Sequence, residues 1–196
     1  MRVAVVGTSG SGKSTFARRL AGRSGAPHIE LDAINWQAGW RDLNTHDVAE
    51  FRRRVAEAVV SERWVCDGNY GKVRDLVLAR ATHLVWLDFP RLLTIRRVIW
   101  RSFTRALGKR ELWPGTGNVE EFRRWLDREH PIRWAWDTYH ERRTAYAALF
   151  ADPATAHLEK HRIRRPRDAE TLAQALAAGL SLAEAGRQEP AREDVR

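Results

Sequence analysis

The sequence is short of several things. Cys66 is its only cysteine, which excludes an internal disulfide and any cysteine-based zinc cluster and fits a reducing, cytoplasmic setting. No apolar run approaches the roughly 18 residues that span a membrane. The opening Met-Arg-Val-Ala-Val-Val-Gly meets a glycine too early for a signal peptide. Lysine is scarce: of 34 basic residues only Lys13, Lys72, Lys109 and Lys160 are lysines, and the other 30 are arginines. Internal repeats are absent.

What remains is ordinary globular material. A chain of 196 residues, 43% hydrophobic and 30% charged, is long enough for one domain with a proper core. Its net charge of +9 has two readings. One is an arginine-rich, solvated surface. The other is a site for polyanions, for which a nucleoside triphosphate already qualifies, because guanidinium forks match phosphate oxygens.

Hydrophobic patterning gives the elements. Short apolar runs predict strands over 2–6, 28–31, 64–67 and 83–88, and alternation predicts a fifth over 157–163. Helical spacing covers 13–23, a stretch from Asn44 or Thr45 to 62, then 72–79, 90–107, 119–130, 132–150 and 168–178. In 90–107 an apolar stripe of Leu92, Ile95, Ile99 and Ala106 faces away from Arg97, Arg101 and Arg105. Residues 108–118, "GKRELWPGTGN", read as a hinge-like loop, and 183–196 as a loose tail. Alternating strands and helices predict an α/β fold with a mainly parallel sheet, whose ligands bind at the carboxyl ends of the strands. Gly7, Asp32, Asp67 and Asp88 all fall at or just beyond such ends.

"GTSGSGKS", Gly7, Thr8, Ser9, Gly10, Ser11, Gly12, Lys13 and Ser14, matches the phosphate-loop pattern G-x-x-x-x-G-K-[ST] between a strand and a helix; Thr15 follows it. The glycines let backbone N–H groups point at phosphate oxygens, and the positive end of the next helix adds to the field. Lys13 supplies a point charge and Ser14 a hydroxyl for Mg²⁺. The order of glycines differs from the dinucleotide fingerprint G-x-G-x-x-G, so ATP with Mg²⁺ is the expected ligand. Such sites need a second, acidic partner on a neighbouring strand. Asp67 after "WVC" and Asp88 after "LVWL" both qualify, and spacing prefers neither.

The stretches "GTSGSGKS", "LDAINWQAGW", "WVCDGNY" and "LVWLDFPRLLTIRRVIWR" together resemble the adenylate-kinase-like P-loop kinases, and among these a bacterial group labelled topology-modulation proteins, over residues 1–178. The resemblance implies a three-layer P-loop NTPase fold with a five-stranded parallel sheet in the order 2-3-1-4-5, a short helical lid at about 105–130, and a flexible tail over 179–196. It assigns Asp67, which heads an Asp-Gly pair, to the magnesium side. It implies that Arg97 and Arg101, seven and eleven positions beyond Pro90, stabilise the transferring phosphoryl group. Departures are also plain. The Thr-Gly-Asp after strand two is replaced by Leu31-Asp32-Ala33, and no Pro-Arg follows Asp67-Gly68-Asn69-Tyr70, which argues against AMP as acceptor.

On the acceptor side Asp32 is either a general base toward a hydroxyl or the cap of the following turn. Trp36 and Trp40 offer an aromatic wall, with packing as the preferred role. Gly68, Asn69 and Tyr70 are expected to floor the same pocket. Arg142 and Arg143 are further candidates, and Arg164–Asp168 is where the base would be cradled. The expected function is that of an ATP-dependent phosphotransferase with an unidentified small-molecule or nucleotide acceptor. The alternative is an NTP-binding or hydrolysing regulatory protein acting on nucleic acid in DNA topology modulation. No helix-turn-helix, zinc-finger or RNA-binding signature accompanies the alternative, and the kinase is preferred.

Overall fold

The computed structural model describes residues 1–109, 111–120 and 131–179. Five parallel strands, β1 (Arg2–Gly7), β2 (His28–Glu30), β3 (Trp64–Asp67), β4 (His83–Leu87) and β5 (Glu159–Ile163), form one sheet in the order β2-β3-β1-β4-β5. β1 lies in the middle, which is why Val3, Ala4, Val5 and Val6 are all buried: a central parallel strand is covered on both faces. Val3, Val5, Val65, Val85 and Ile163 face Phe16 and Leu20 of α1 (Lys13–Ser24) and Leu172 and Leu176 of α8 (Pro166–Ala178). Ala4, Val6, Cys66 and Trp86 face Phe51 and Val55 of α4 (Val48–Ala58), Val77 of α5 (Arg74–Arg80), and Tyr146 and Leu149 of α7 (Pro131–Ala151). Helix, sheet and helix make the expected three layers. The fully buried Phe51 and Trp64 anchor the second face; truncating either to Ala costs about 3–5 kcal/mol.

Several elements depart from the periodicity. The stretch expected as one helix to 62 is two: α3 (Leu43–His46) and α4, which ends at Ala58. Neither Asn44 nor Thr45 is the cap. Asp42 accepts from the Thr45 N–H at 2.7 Å and Asp47 from the Glu50 N–H at 3.0 Å, so two acids each start a helix. β2 stops at Glu30 because α2 (Leu31–Asn35) follows at once, and Asp32 therefore sits in a first helical turn rather than at a strand end. β5 begins at Glu159, not 157. In α6 (Arg91–Gly108) the expected stripe is wrong in part: Leu92 and Ile99 are exposed, and Thr94, Ile95, Val98, Ser102 and Ala106 are buried. Spacing of three and four residues supports either stripe; Thr94 and Val98 win because α6 presses close to Gly10 of the phosphate loop there. The helix expected over 119–130 does not start as such, since Val119 pairs antiparallel with Glu111. Residues 121–130 of that helix and of the expected lid, and 180–196 of the expected tail, lie outside the described residues.

Candidate functional site

The phosphate loop turns sharply from β1 into α1. Gly10 has φ 78°, and a Cβ there would meet the Thr94 carbonyl oxygen at 2.2 Å and Val98 Cγ2 at 2.6 Å. Only glycine lets the loop lie this close to α6. The buried Tyr146 hydroxyl donates to the Gly7 carbonyl at 3.1 Å and pins the start of the loop from α7. Gly12 precedes α1 without any side-chain cap, so the N–H groups of the first helical turn are left for an anion. Lys13 Nζ donates to the Thr8 carbonyl at 3.1 Å. Burial pushes this ammonium below its usual range, while the carboxylates of Asp32 and Asp67 push it back up.

The two acids that sequence spacing left open are separated here. Asp67 is buried at the end of β3; the Ser14 hydroxyl donates to its Oδ2 at 2.6 Å, and His28 Nε2 lies 2.6 Å from Oδ1. Asp88 points to the other side of the sheet, where Arg143 Nε donates to it at 2.7 Å and Arg162 Nη2 at 2.6 Å. Burial pushes Asp88 upward, but the two guanidinium groups together outweigh it and hold the carboxyl below its usual range. Arg143 is thus a structural partner of Asp88, and of the pair Arg142–Arg143 only Arg142 lines the cleft.

That cleft, about 1290 Å³, runs from the phosphate loop past Asp32 and Asn69 to the loop 111–120, and Pro166 closes one side of it. Asp32 does not cap its helix. It accepts from the Tyr70 hydroxyl at 2.6 Å, and Tyr70 packs edge-on against Phe51 at 5.1 Å. Burial, then the nearby Asp32, pushes the Tyr70 phenol far up, so it stays a donor. Gly68, at φ 136°, has no room for a side chain: a Cβ would meet the Leu31 side chain at 2.5 Å. Asn69 accepts from Arg74 at 3.2 Å and also lines the cleft.

Trp36 and Trp40 pack, and they line the cleft as well. Trp113 stacks on Trp36 with centroids 6.1 Å apart, and Trp40 stands edge-on to both. Asn118 ties the loop down: the Trp40 N–H donates to its Oδ1 at 3.0 Å, and its Nδ2 donates to the Gln37 carbonyl at 2.9 Å. Trp40 is held at φ 61°, a left-handed conformation uncommon for a bulky residue. Trp113, Asn118 and the cleft-lining Glu30 were missing from the sequence reading; nothing in local spacing links residues 36–40 to 113–118.

Arginines form the third wall. Arg97 Nη1 donates to the Ser11 carbonyl at 3.4 Å. One turn on, the Nε of Arg101 is buried with no hydrogen-bond partner among the described residues, and the Ser11 hydroxyl is in the same condition. Burial, then the neighbouring Arg105, pushes Arg101 below its usual range, against Glu120, Asp32 and Glu30. Arg53, by contrast, is spent on Glu50 and Glu57 at the surface. An uncapped helix start, a hydroxyl beside a buried carboxylate and unsatisfied donors facing one cleft fit a magnesium-bound nucleoside triphosphate.

No protein-family model and no curated protein matches the sequence. Among solved structures the chain is similar to the shikimate kinase from Acinetobacter baumannii in complex with shikimate, with a TM-score of 0.53 and 19% identity over 96% of this chain and 94% of that one. A sugar kinase from Janibacter sp. HTCC2649, unliganded, superposes with a TM-score of 0.48 and 17% identity over 92% of this chain and 95% of that one. The likeness to the first is one of fold: this chain has the α/β fold of a P-loop kinase, with the strand order expected for it.

Proposed function

We propose that the chain, acting as a single unit over residues 1–178, is an ATP-dependent phosphotransferase whose acceptor is a small molecule with a hydroxyl group. The observation that carries this reading is one cleft shared by the phosphate loop, the Asp32–Tyr70 pair and Arg97, Arg101 and Arg142. Ser14 and Asp67 are the residues to hold Mg²⁺, with waters completing its shell. When bound, Mg-ATP supplies the phosphoryl group and neutralises part of its charge.

The chain's own residues do the rest. Backbone N–H groups of the loop and of the first turn of α1, other than that of Ser11, which donates to the Thr8 carbonyl, hold the phosphates with the Lys13 ammonium. Asp32, oriented by Tyr70, accepts the proton of the acceptor hydroxyl as its oxygen bonds to phosphorus and the bridging oxygen leaves with ADP. Arg97 and Arg101 meet the charge that spreads over the transferring group. Trp36, with Gly68, Asn69 and Tyr70, walls the acceptor and keeps water out. The aromatic and acidic lining suits a neutral, ring-bearing alcohol better than a nucleoside monophosphate. The finer likeness to the topology-modulation group rests on the motifs "LDAINWQAGW" and "DGNY".

A panel of hydroxyl compounds and nucleoside monophosphates incubated with γ-labelled ATP tests this. Label transfer to a small alcohol is expected. Hydrolysis with no transfer to any acceptor, stimulated by DNA, would favour the nucleic-acid reading instead.

A further inference from the structure

A second group of ligand-type side chains sits away from the cleft. His83 and Glu159 are the first residues of β4 and β5 and lie side by side in the parallel ladder. His161, two residues along β5, shares their face of the sheet. They mark the strand ends opposite to the one from which the phosphate loop leaves, so the proposed transfer does not use them. Their potential ligand atoms all lie within 4.8 Å of one another. His161 Nε2 is 3.1 Å from Glu159 Oε1, His83 Nε2 is 3.3 Å from Glu159 Oε2, and the two imidazoles stack 11° from parallel.

Two details are poor for ion pairs and good for ligands. His161 is 8% exposed, and among the described residues its Nε2 has no partner with hydrogen-bond geometry, although Glu159 Oε1 lies 3.1 Å away. Buried polar atoms without partners are rare and call for an explanation. The Thr82 hydroxyl accepts from the Arg2 N–H at 2.9 Å and has one proton for two neighbours, the Arg2 carbonyl at 3.0 Å and His83 Nδ1 at 2.7 Å. When that proton goes to the carbonyl, His83 Nδ1–H donates to Thr82 and the lone pair of Nε2 is left for a metal. A hydrogen-bonded Nδ1–H behind a free Nε2 is the arrangement of metal-ligating histidines. Burial, opposed by Glu159, holds both imidazoles below their usual range, in the neutral form that ligates.

We propose that His83, Glu159 and His161 bind one divalent transition-metal ion, with zinc the best fit, and so clamp the edge strand β5 to β4. Two nitrogens and one carboxylate suit zinc, with water as a fourth ligand, whereas magnesium prefers oxygens. A tetrahedral zinc with ligands about 2.0–2.1 Å away sets them roughly 3.3 Å apart. The two histidine–carboxylate separations, 3.1 Å to Oε1 and 3.3 Å to Oε2, run to different oxygens of Glu159, so a zinc held by one of them draws the other imidazole inward. The N-terminal ammonium lies near His83 and works against a cation, and the Glu159 carboxylate offsets it.

The test uses the untagged full-length chain stripped of metal, titrated with Zn²⁺ in a calorimeter and with Co²⁺ in visible absorption. One equivalent is expected, with a tetrahedral Co²⁺ spectrum and a melting temperature that rises with Zn²⁺. Glu159→Gln and His83→Gln should each weaken binding at least tenfold and abolish the rise. Glu159 is half exposed, so its variant keeps the core. His161→Gln should behave alike if it folds. Asp67→Asn controls for zinc held by His28 and Asp67. Absence of saturable binding, unchanged affinity in both Glu159→Gln and His83→Gln, or binding lost in Asp67→Asn alone would overturn the proposal.

Discussion

Lys13 spends its charge on one backbone carbonyl in a buried setting that lowers its pKa. A bound phosphate chain is the partner that reverses this. Lys13→Ala should therefore weaken ATP roughly ten- to hundredfold, the loss of one charge-assisted hydrogen bond, and leave adenosine nearly unchanged in a calorimetric titration. Asp67 and Asp88 differ in the same local sense. Asp67→Asn should keep metal-free ATP binding and remove the gain from added Mg²⁺. Asp88→Asn should leave that gain intact and cost about 1–3 kcal/mol in denaturant unfolding, because Arg143 and Arg162 lose the negative charge and one of their two acceptor oxygens to an NH₂ donor. Both guanidinium groups reach solvent, which keeps the loss below that of a fully buried pair. The Asp88 carboxyl is depressed in the folded state, so its stabilisation is present above the ordinary carboxylate pKa and fades as pH falls through the lower folded value. The gap in melting temperature between wild type and Asp88→Asn should close over that acidic window.

At the scale of elements, α6 carries the arginines proposed to meet the charge of the transferring group. Arg97 and Arg101 lie one turn apart beside the phosphate loop, held there by the contact of Gly10 with Thr94 and Val98. Each alanine variant should lower turnover on the order of a hundredfold with a smaller change in ATP affinity, as a steady-state comparison would read. The loop 111–120 is joined to the Trp36–Trp40 turn through Asn118. Asn118→Ala removes two hydrogen bonds from a buried site, and amide exchange at Trp40 should speed up while β1 stays protected. Sequence periodicity located α6 and its arginines but misjudged the buried stripe. The choice between Leu92–Ile99 and Thr94–Val98 depends on how close the loop comes, and that is a tertiary distance.

For the whole molecule the issue is the net charge of +9. Part of the arginine surface is paired locally: Arg2 with Glu62, Arg52 with Asp75, Arg53 with Glu50 and Glu57, Arg19 and Arg23 with Glu170. Duplex DNA binding should be weak, indifferent to sequence and to Mg-ATP, and gone near physiological salt in fluorescence anisotropy, since phosphate contacts weaken steeply as salt rises. DNA-stimulated ATP hydrolysis that disappears in Lys13→Ala would show that the molecule acts on nucleic acid.

The sequence by itself determined the candidate phosphate loop, because "GTSGSGKS" is local chemistry: every group proposed to hold the phosphates there comes from eight consecutive residues and the helix after them. Apolar runs gave the first four strands and alternation the fifth, while the order 2-3-1-4-5 came from the resemblance to P-loop kinases and is the order the sheet has. Spacing offered Asp67 and Asp88 on equal terms. The resemblance preferred Asp67, and the tertiary structure puts it beside Ser14, 53 residues away in sequence, while Asp88 is held by Arg143 and Arg162. The aromatic wall of Trp36, Trp40 and Trp113 and the His83–Glu159–His161 cluster were decided there too. Each joins side chains from distant segments, and what brings them together is strand register and loop closure, which no local pattern of residues encodes.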